Sequence, residues 1–281
     1  MKVFVNLNGE IVEESKANIS CNNKTFRYGD GFFETMKWMS GRIILEQFHF
    51  ERIFETIHVL SYHLSKKFSS VFFRNAIHEL INKNKIQELA RIRITFFSND
   101  GGLFDGVKES INFLIQTWSL DKINNVINEN GLDLGVFRKA NKSIDLYSKF
   151  KLNSSYPYSL AANWAKQNKL NDAVILNSNG NISDTCIANI FCIDSGIIKT
   201  PSLDEGCIDG VMRRFLIKKC KENNISITET KISIEDLLQA QEVFITNSIK
   251  GIKWVKKIDN VQFQSNEIKK IEKLIMPNLF L

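Results

Sequence analysis

No stretch of the chain approaches the roughly 18 uninterrupted apolar residues that a membrane span requires, and nothing at the amino terminus reads as a secretion signal. Met1 to Glu14 instead reads as two short strands around Asn8-Gly9. A soluble, cytoplasmic protein without a membrane partner is expected. The five cysteines, Cys21, Cys186, Cys192, Cys207 and Cys220, form no CxxC pair and have no nearby histidines, so no metal site is expected. Their odd number suits reduced thiols. The 37 basic and 31 acidic residues leave a charge of +6, but the lysines are scattered, several among Asn and Ile near the carboxyl end. No basic face interleaved with aromatics is visible, so nucleic acid is not an expected partner. The pattern reads as a solvated surface with a mild preference for anions. What the chain does have is length and apolar content: 281 residues, 43% of them apolar, suffice for one large or two medium domains.

Leu45, Phe48, Ile53, Phe54, Ile57 and Leu60 recur near helical spacing, and a second helical pattern covers Val71 to Ile81. Ala90 to Phe97 alternates instead, which puts Arg91, Arg93 and Thr95 on one face of a strand. Ile111 to Trp118 reads as a further strand, and the polar, Asn-rich Ser119 to Asn130 as a linker. Beyond it the patterns predict strands at Leu132 to Phe137, Ala173 to Leu176 and Ile187 to Ile193, the last two joined through Asn177-Ser178-Asn179-Gly180. Helices are expected over Ser155 to Gln167 and Gly210 to Glu222, with strands near Ile225 to Thr230 and Val243 to Thr246. The fold class is mixed α and β in two domains: residues 1–118, a linker over 119–130, and residues 131–281.

Five blocks carry the chemistry. Arg27-Tyr28-Gly29-Asp30-Gly31-Phe32-Phe33-Glu34-Thr35 sets glycines on either side of an aspartate, a tight turn with close backbone approach, before an apolar strand. His49-Phe50-Glu51-Arg52-Ile53 lies on the first helical pattern. Lys149-Phe150-Lys151-Leu152-Asn153 precedes a helix, Asn181 to Phe191 follows a strand and turn, and Gly206 to Arg213 leads into another helix.

In this order the blocks resemble the fold-type IV pyridoxal-phosphate enzymes, the class IV aminotransferases, which include branched-chain aminotransferases, D-amino acid aminotransferases and aminodeoxychorismate lyases. The first block resembles the family's YGDG-FET segment, the second its H-x-x-R-L motif with Ile53 in place of leucine, the fourth its segment ending A-N-x-F, and the fifth its G-x-x-x-G-x-x-R turn. The resemblance implies a smaller amino-terminal α/β domain and a larger carboxyl-terminal domain with a β-barrel-like sheet. It also implies a homodimer whose sites borrow residues across subunits, with the loop around Gly101 to Gly106 as contributor.

The implied cofactor is pyridoxal 5'-phosphate, carried on a lysine as a Schiff base, and the same amine then moves the substrate's α-proton. Lys151 lies 184 − 151 = 33 residues before Asp184, a separation similar to that of the lyase branch; Lys149, four residues before Asn153, matches the branched-chain branch. Lys151 is the preferred carrier. Asp184 stands where the family has a glutamate facing the pyridine nitrogen, and it is one methylene shorter. Arg52 is the implied phosphate cation, its fork suited to phosphate oxygens, with backbone donors from Val211 and Met212 at a helix start and from Ser248 and Ile249 in a turn. The substrate carboxylate is assigned to Arg93 and Arg91, with Arg27 and Tyr28 beside the glycine turn. Phe33 stands where the D-amino acid branch has a tyrosine, and Asn99 to Leu103 lacks that branch's Arg-x-His pair. The expected activity is transfer of an amino group between an amino acid and a 2-oxo acid, with 4-amino-4-deoxychorismate lyase as the alternative.

Overall fold

A strand that alternates polar and apolar side chains has one face to cover. In the computed structural model, which describes residues 2–103, 111–121, 127–276 and 279, Arg91 to Phe96 has this pattern. It belongs to the first of two units, Met1–Ile123 with Lys151–Ser154; the second comprises Asn124–Phe150 and Ser155–Leu281. Part of the expected linker, residues 122–126, lies outside the described residues, as does the loop toward Gly106 from residue 104 onward.

The first unit opens with the hairpin β1 (Phe4–Leu7) and β2 (Glu10–Glu13), turned at Asn8 and Gly9, both at positive φ. Then come α1 (Lys24–Tyr28), β3 (Gly31–Met39), β4 (Arg42–Ile43), α2 (Glu46–Val59), α3 (Ser70–Lys83), β5 (Leu89–Phe97) and β6 (Asn112–Ser119). The strands form an antiparallel sheet in the order β2-β1-β6-β5-β3-β4. Phe32, Met36 and Trp38 of β3 and Ile92, Ile94 and Phe96 of β5 join one core with Phe50 and Ile53 of α2 and Phe73, Ile77 and Leu80 of α3. Each fully buried side chain of this size contributes roughly 1.5–3 kcal/mol. By alternation the opposite face carries Phe33, Thr35 and Lys37, paired in register with Thr95, Arg93 and Arg91.

One polar residue of β3 points into the covered side. Glu34 is 1% exposed and meets Arg52 of α2 in a two-pronged pair, Nε to Oε2 at 2.9 Å and Nη2 to Oε1 at 2.6 Å. His49 Nδ1 stands 3.0 Å from the same Oε1, off the direction a good hydrogen bond needs. Burial pushes the Glu34 carboxyl up, but Arg52 and His49 outweigh it and hold the group well below the usual carboxylate range.

The segment Lys151–Ser154, expected in the second domain, instead runs with the first unit. The reason is strand pairing. Phe33 N–H donates to the Lys151 carbonyl at 2.9 Å and Asn153 N–H to the Gly31 carbonyl at 3.0 Å, along the edge that short β4 leaves open. Gly31 permits the approach: at φ 148°, a Cβ there would lie 2.3 Å from the Phe96 carbonyl oxygen and 2.6 Å from Asn153 Nδ2. The glycine turn around Asp30 follows the short helix α1, which Arg27 and Tyr28 end and Gly29 closes in the left-handed conformation at φ 73°.

The second unit contains β7 (Leu132–Lys142), α4 (Tyr156–Gln167), β8 (Asp172–Asn177), β9 (Ile182–Thr185), β10 (Asn189–Asp194) and β11 (Ile197–Pro201). It continues with α5 (Val211–Glu222), β12 (Ile227–Thr230), α6 (Ile234–Gln239), β13 (Glu242–Asn247), β14 (Gly251–Ile258), β15 (Val261–Gln262) and α7 (Asn266–Ile275). The sheet order is β12-β11-β10-β13-β14-β7-β8-β9, with β15 on β14. Cys186 to Ala188 connect β9 directly to β10, five places away in that order. A flat sheet would separate them by about 24 Å at ~4.8 Å per strand, and the link reaches at most about 14 Å. The sheet therefore curls into a half-barrel, as the resemblance implies.

The strand expected at Ile187 to Ile193 is β10, beginning at Asn189, and a strand not expected, β9, precedes it at Ile182–Thr185. β9 returns along β8 after the Asn177–Gly180 turn, and the bend at Cys186 to Ala188 is held by Thr185 N–H on the Ala188 carbonyl at 2.9 Å. The lysine-rich end, read as solvated surface, forms α7, whose Ile268, Ile271 and Ile275 are buried at helical spacing.

Glu34→Gln should lower stability at neutral pH by about 3–5 kcal/mol, because it leaves the buried Arg52 without its counter-charge. A carboxyl depressed in the folded state stabilises fully above its unfolded value, near 4.5 for glutamate, and loses that contribution as pH falls toward the depressed value. The gap between wild type and variant in denaturant unfolding should thus be full above pH 4.5 and narrow below it. A gap independent of pH would show that the pair is not what holds α2 to β3.

Candidate active site

On the face of the first unit's sheet opposite the helices, three residues read from the sequence come together around one ring. Arg93 Cζ lies 3.7 Å and Lys151 Nζ 4.7 Å from the Phe33 ring centroid, both over its face. Arg93 Nε also donates to Thr95 Oγ1 at 3.1 Å. Burial, then repulsion from Arg91, draws the Arg93 proton affinity below its ordinary value. Arg93 is thus a half-buried cation, the kind of group that gains most from an anion. Arg91 is exposed and lies against the Trp118 ring at 5.4 Å. Arg27 is exposed too, tied to Tyr28 Oη at 2.7 Å and the Gly102 carbonyl at 3.3 Å. Arg52 belongs to the covered side with Glu34, two of its donors committed there. A cavity of about 310 Å³ in this unit, lined by Ile19, Phe26, Thr95, Phe97 and Leu114, is apolar and includes neither Lys151 nor Arg93 in its wall.

In the second unit, Asp184 on β9 is 1% exposed, and four donors converge on it. Oδ2 accepts from Lys142 Nζ at 3.1 Å, Tyr158 Oη at 2.8 Å and Ile208 N–H at 2.9 Å; Oδ1 accepts from Asn189 Nδ2 at 2.9 Å. Burial, then the Asp184 charge, pushes the Tyr158 phenol far up, so it stays a donor. Asn189 also donates to the Ile208 carbonyl at 2.7 Å. Gly210 lets this network close, since a Cβ there would sit 1.9 Å from Asn189 Oδ1. Gly210 caps α5, whose first turn contains Val211 and Met212 and no acidic residue. The first amides of a helix have no acceptors within it, and the dipole there favours an anion. In the turn after β13, Asn247 Oδ1 accepts from Ile249 N–H at 3.0 Å and Lys250 N–H at 2.8 Å, so the Ile249 amide is engaged within its own turn. Lys149 lies over the Phe150 ring at 5.1 Å, and its carbonyl accepts from Asp209 N–H at 2.9 Å.

The donor set leaves acceptor capacity on Oδ1. A carboxylate oxygen has two acceptor sites, and among the described residues Oδ1 accepts only from Asn189. Lys142, Tyr158, Asn189 and Glu34 were not assigned these contacts from the sequence. Asn189 and Glu34 stand inside matched blocks, whereas Lys142 sits in the polar run Arg138-Lys139-Ala140-Asn141-Lys142-Ser143 and carries no signal. Among the described residues no cluster of His, Cys, Asp and Glu is arranged to hold a metal, and no helix is long and apolar enough to cross a membrane.

The profile of the family described as Amino-transferase class IV matches residues 31–258. An aminodeoxychorismate lyase of Bacillus subtilis (strain 168) is 28% identical over 270 residues, 93% of this chain and 89% of that protein. The structure of a branched-chain aminotransferase from Thermoproteus uzoniensis with norvaline superposes with a TM-score of 0.87 at 21% identity, covering 97% of this chain and 93% of that one. A branched-chain amino acid aminotransferase from Escherichia coli gives 0.85 at 22% identity, covering 97% and 92%. Both establish the fold. With the profile covering residues 31–258, the chain belongs to the class IV aminotransferase family, whose members depend on pyridoxal 5'-phosphate.

Proposed function

We propose that this chain binds pyridoxal 5'-phosphate on Lys151 and moves an amino group between an amino acid and a 2-oxo acid. The observation that carries the reading is the pairing of the Lys151 amine and the Arg93 guanidinium over one Phe33 ring, 4.7 and 3.7 Å from its centroid. It supplies a nucleophilic amine and an anion-binding cation beside an apolar wall. Lys151 would hold the cofactor through its aldehyde, and its amine would serve as the base that takes the substrate's α-proton and returns it. Arg93 holds the substrate's α-carboxylate. Asp184, with acceptor capacity left on Oδ1, would face the ring nitrogen, while Tyr158 and Asn189 keep its carboxylate from rotating. The phosphate is assigned to the amides of Val211 and Met212 and to Ser248, with Ile249 shaping the turn; Arg52, the cation that the resemblance implies, is committed to Glu34 on the other side of β3. When bound, the cofactor draws away the electrons that the departing α-proton leaves behind. Two copies of the chain are expected to form the working enzyme.

A lyase reading, releasing pyruvate and 4-aminobenzoate from aminodeoxychorismate, is favoured by one observation, the 28% identity to the Bacillus subtilis lyase. Incubation with alanine or glutamate alone separates the two. Transamination converts the bound cofactor to its aminated form and bleaches the visible band; the lyase leaves the band and yields 4-aminobenzoate only from aminodeoxychorismate.

The purified protein should be yellow. Lys151→Ala should abolish the visible band and turnover, and Lys149→Ala should keep most of both; the opposite result transfers the role to Lys149. For Arg93→Ala, steady-state kinetics should show the KM for amino acid substrates raised about 10- to 100-fold, the loss of one charge-assisted pair, with cofactor affinity near that of wild type. An unchanged KM would move the carboxylate site off β5.

A further inference from the structure

A buried lysine on the carboxylate that faces the cofactor's ring needs an explanation. Lys142 ends β7 after Arg138, Lys139 and Asn141, which are all exposed, yet is itself 6% exposed. Taking an ammonium out of water is unfavourable, and an apolar side chain of the same size packs at least as well in most such places. Packing alone does not account for it. Nor does Asp184 lack donors without it, since Tyr158, Ile208 and Asn189 already supply three. What Lys142 adds is charge, at 3.1 Å from Oδ2.

The other titratable groups around the pair do not offset that charge. Tyr158 of α4 is a neutral phenol, and burial keeps the thiols of Cys186 and Cys207 protonated, the latter pushed up to about 12. Arg213 of α5 is engaged with Glu229 at 2.6 Å and Asp209 at 3.7 Å. The Asp184 and Lys142 charges therefore cancel, and a ring nitrogen reaching Oδ1 meets a neutral pair where a lone acid would present a full anion.

We propose that Lys142 is a positioning residue that tunes the ring-facing acid: by holding Oδ2 with an ammonium, it makes Asp184 a weaker partner for the ring-nitrogen proton than a lone carboxylate. This rests on the reading of Asp184 as the acid that faces the cofactor ring. The pair then sets how strongly the bound ring draws electrons, and the shorter aspartate and the added lysine act in the same direction.

The test is nitrogen NMR of the holoenzyme loaded with cofactor labelled with 15N in the ring, recorded across pH. In wild type the ring nitrogen should exchange its proton within the accessible pH range. Lys142→Met, close in shape and uncharged, should raise that midpoint by about one pH unit or more, the effect of removing a like charge a few ångströms away. Lys142→Arg, which keeps the charge, should stay near wild type. If Met and Arg variants both titrate like wild type, the charge of Lys142 is irrelevant and the proposal is overturned. If Lys142→Met does not load cofactor, wild type decides, because a ring nitrogen protonated at every accessible pH also overturns it. A wild-type protein that takes up no cofactor overturns the underlying assignment of Asp184 and the role of Lys142 with it, an outcome distinct from the others.

Discussion

At Gly31 two backbone stretches and a carbonyl meet within a space that no side chain can share, the Phe96 oxygen being 2.3 Å from where a Cβ would stand. The rest of the sheet face opposite the helices follows from that approach. Because Asn153 can donate to the Gly31 carbonyl, Lys151 two residues earlier is held with its carbonyl on Phe33 N–H. Side-chain alternation along β3 then decides what the lysine faces. Phe33 is on the opposite side with Thr35, while Phe32 and Glu34 turn to the helices. The lysine is thus located by main-chain bonds, which do not depend on its rotamer, and the adjacent cation by a strand register that runs the length of β3 and β5.

The chain buries two carboxylates near matched motifs and treats them differently. Glu34 is held by the rigid fork of Arg52, which fits it on two edges, with Thr35 N–H and His49 beside Oε1. Such a pair locks a helix to a strand and leaves little acceptor capacity. Asp184 is served by a point charge, a phenol, an amide side chain and a backbone N–H arriving from β7, α4, β10 and the segment before α5. None of these takes both oxygens, and one oxygen keeps acceptor room. The first arrangement suits an anchor, and the second suits a group that has to receive something.

The extent to which these features were legible depends on how local their causes are. Arg91, Arg93 and Thr95 declared a common face because strand alternation is local, and α2, α3, α4 and α5 showed their apolar spacing directly. Asp184 was legible from the block around it. Lys142 was not, because a lysine among Arg138, Lys139 and Asn141 has no sequence mark of burial; its environment is made by α4 and β9, remote in the chain. Tyr158 was hidden similarly, since Tyr156 two residues away is 71% exposed and only the helix turn separates their surroundings. Strand β9 escaped because Ile182-Ser183-Asp184-Thr185 is short and mostly polar, and its pairing is with β8 across the turn before it. In α7 the lysines mask three isoleucines whose spacing is helical but whose neighbours read as surface.

Lys151–Ser154 belong to the first unit although the residues on either side, through Phe150 and from Ser155, belong to the second. The two units are therefore not exchangeable parts. A gene divided between positions 119 and 130 would encode one product without the strand segment that completes the edge of β3, and another whose lysine has no edge to join. Exchange of one half for another would likewise take the lysine from its surroundings. The threading makes the surroundings of Lys151 depend on residues supplied from both sides of the segment that joins the two units.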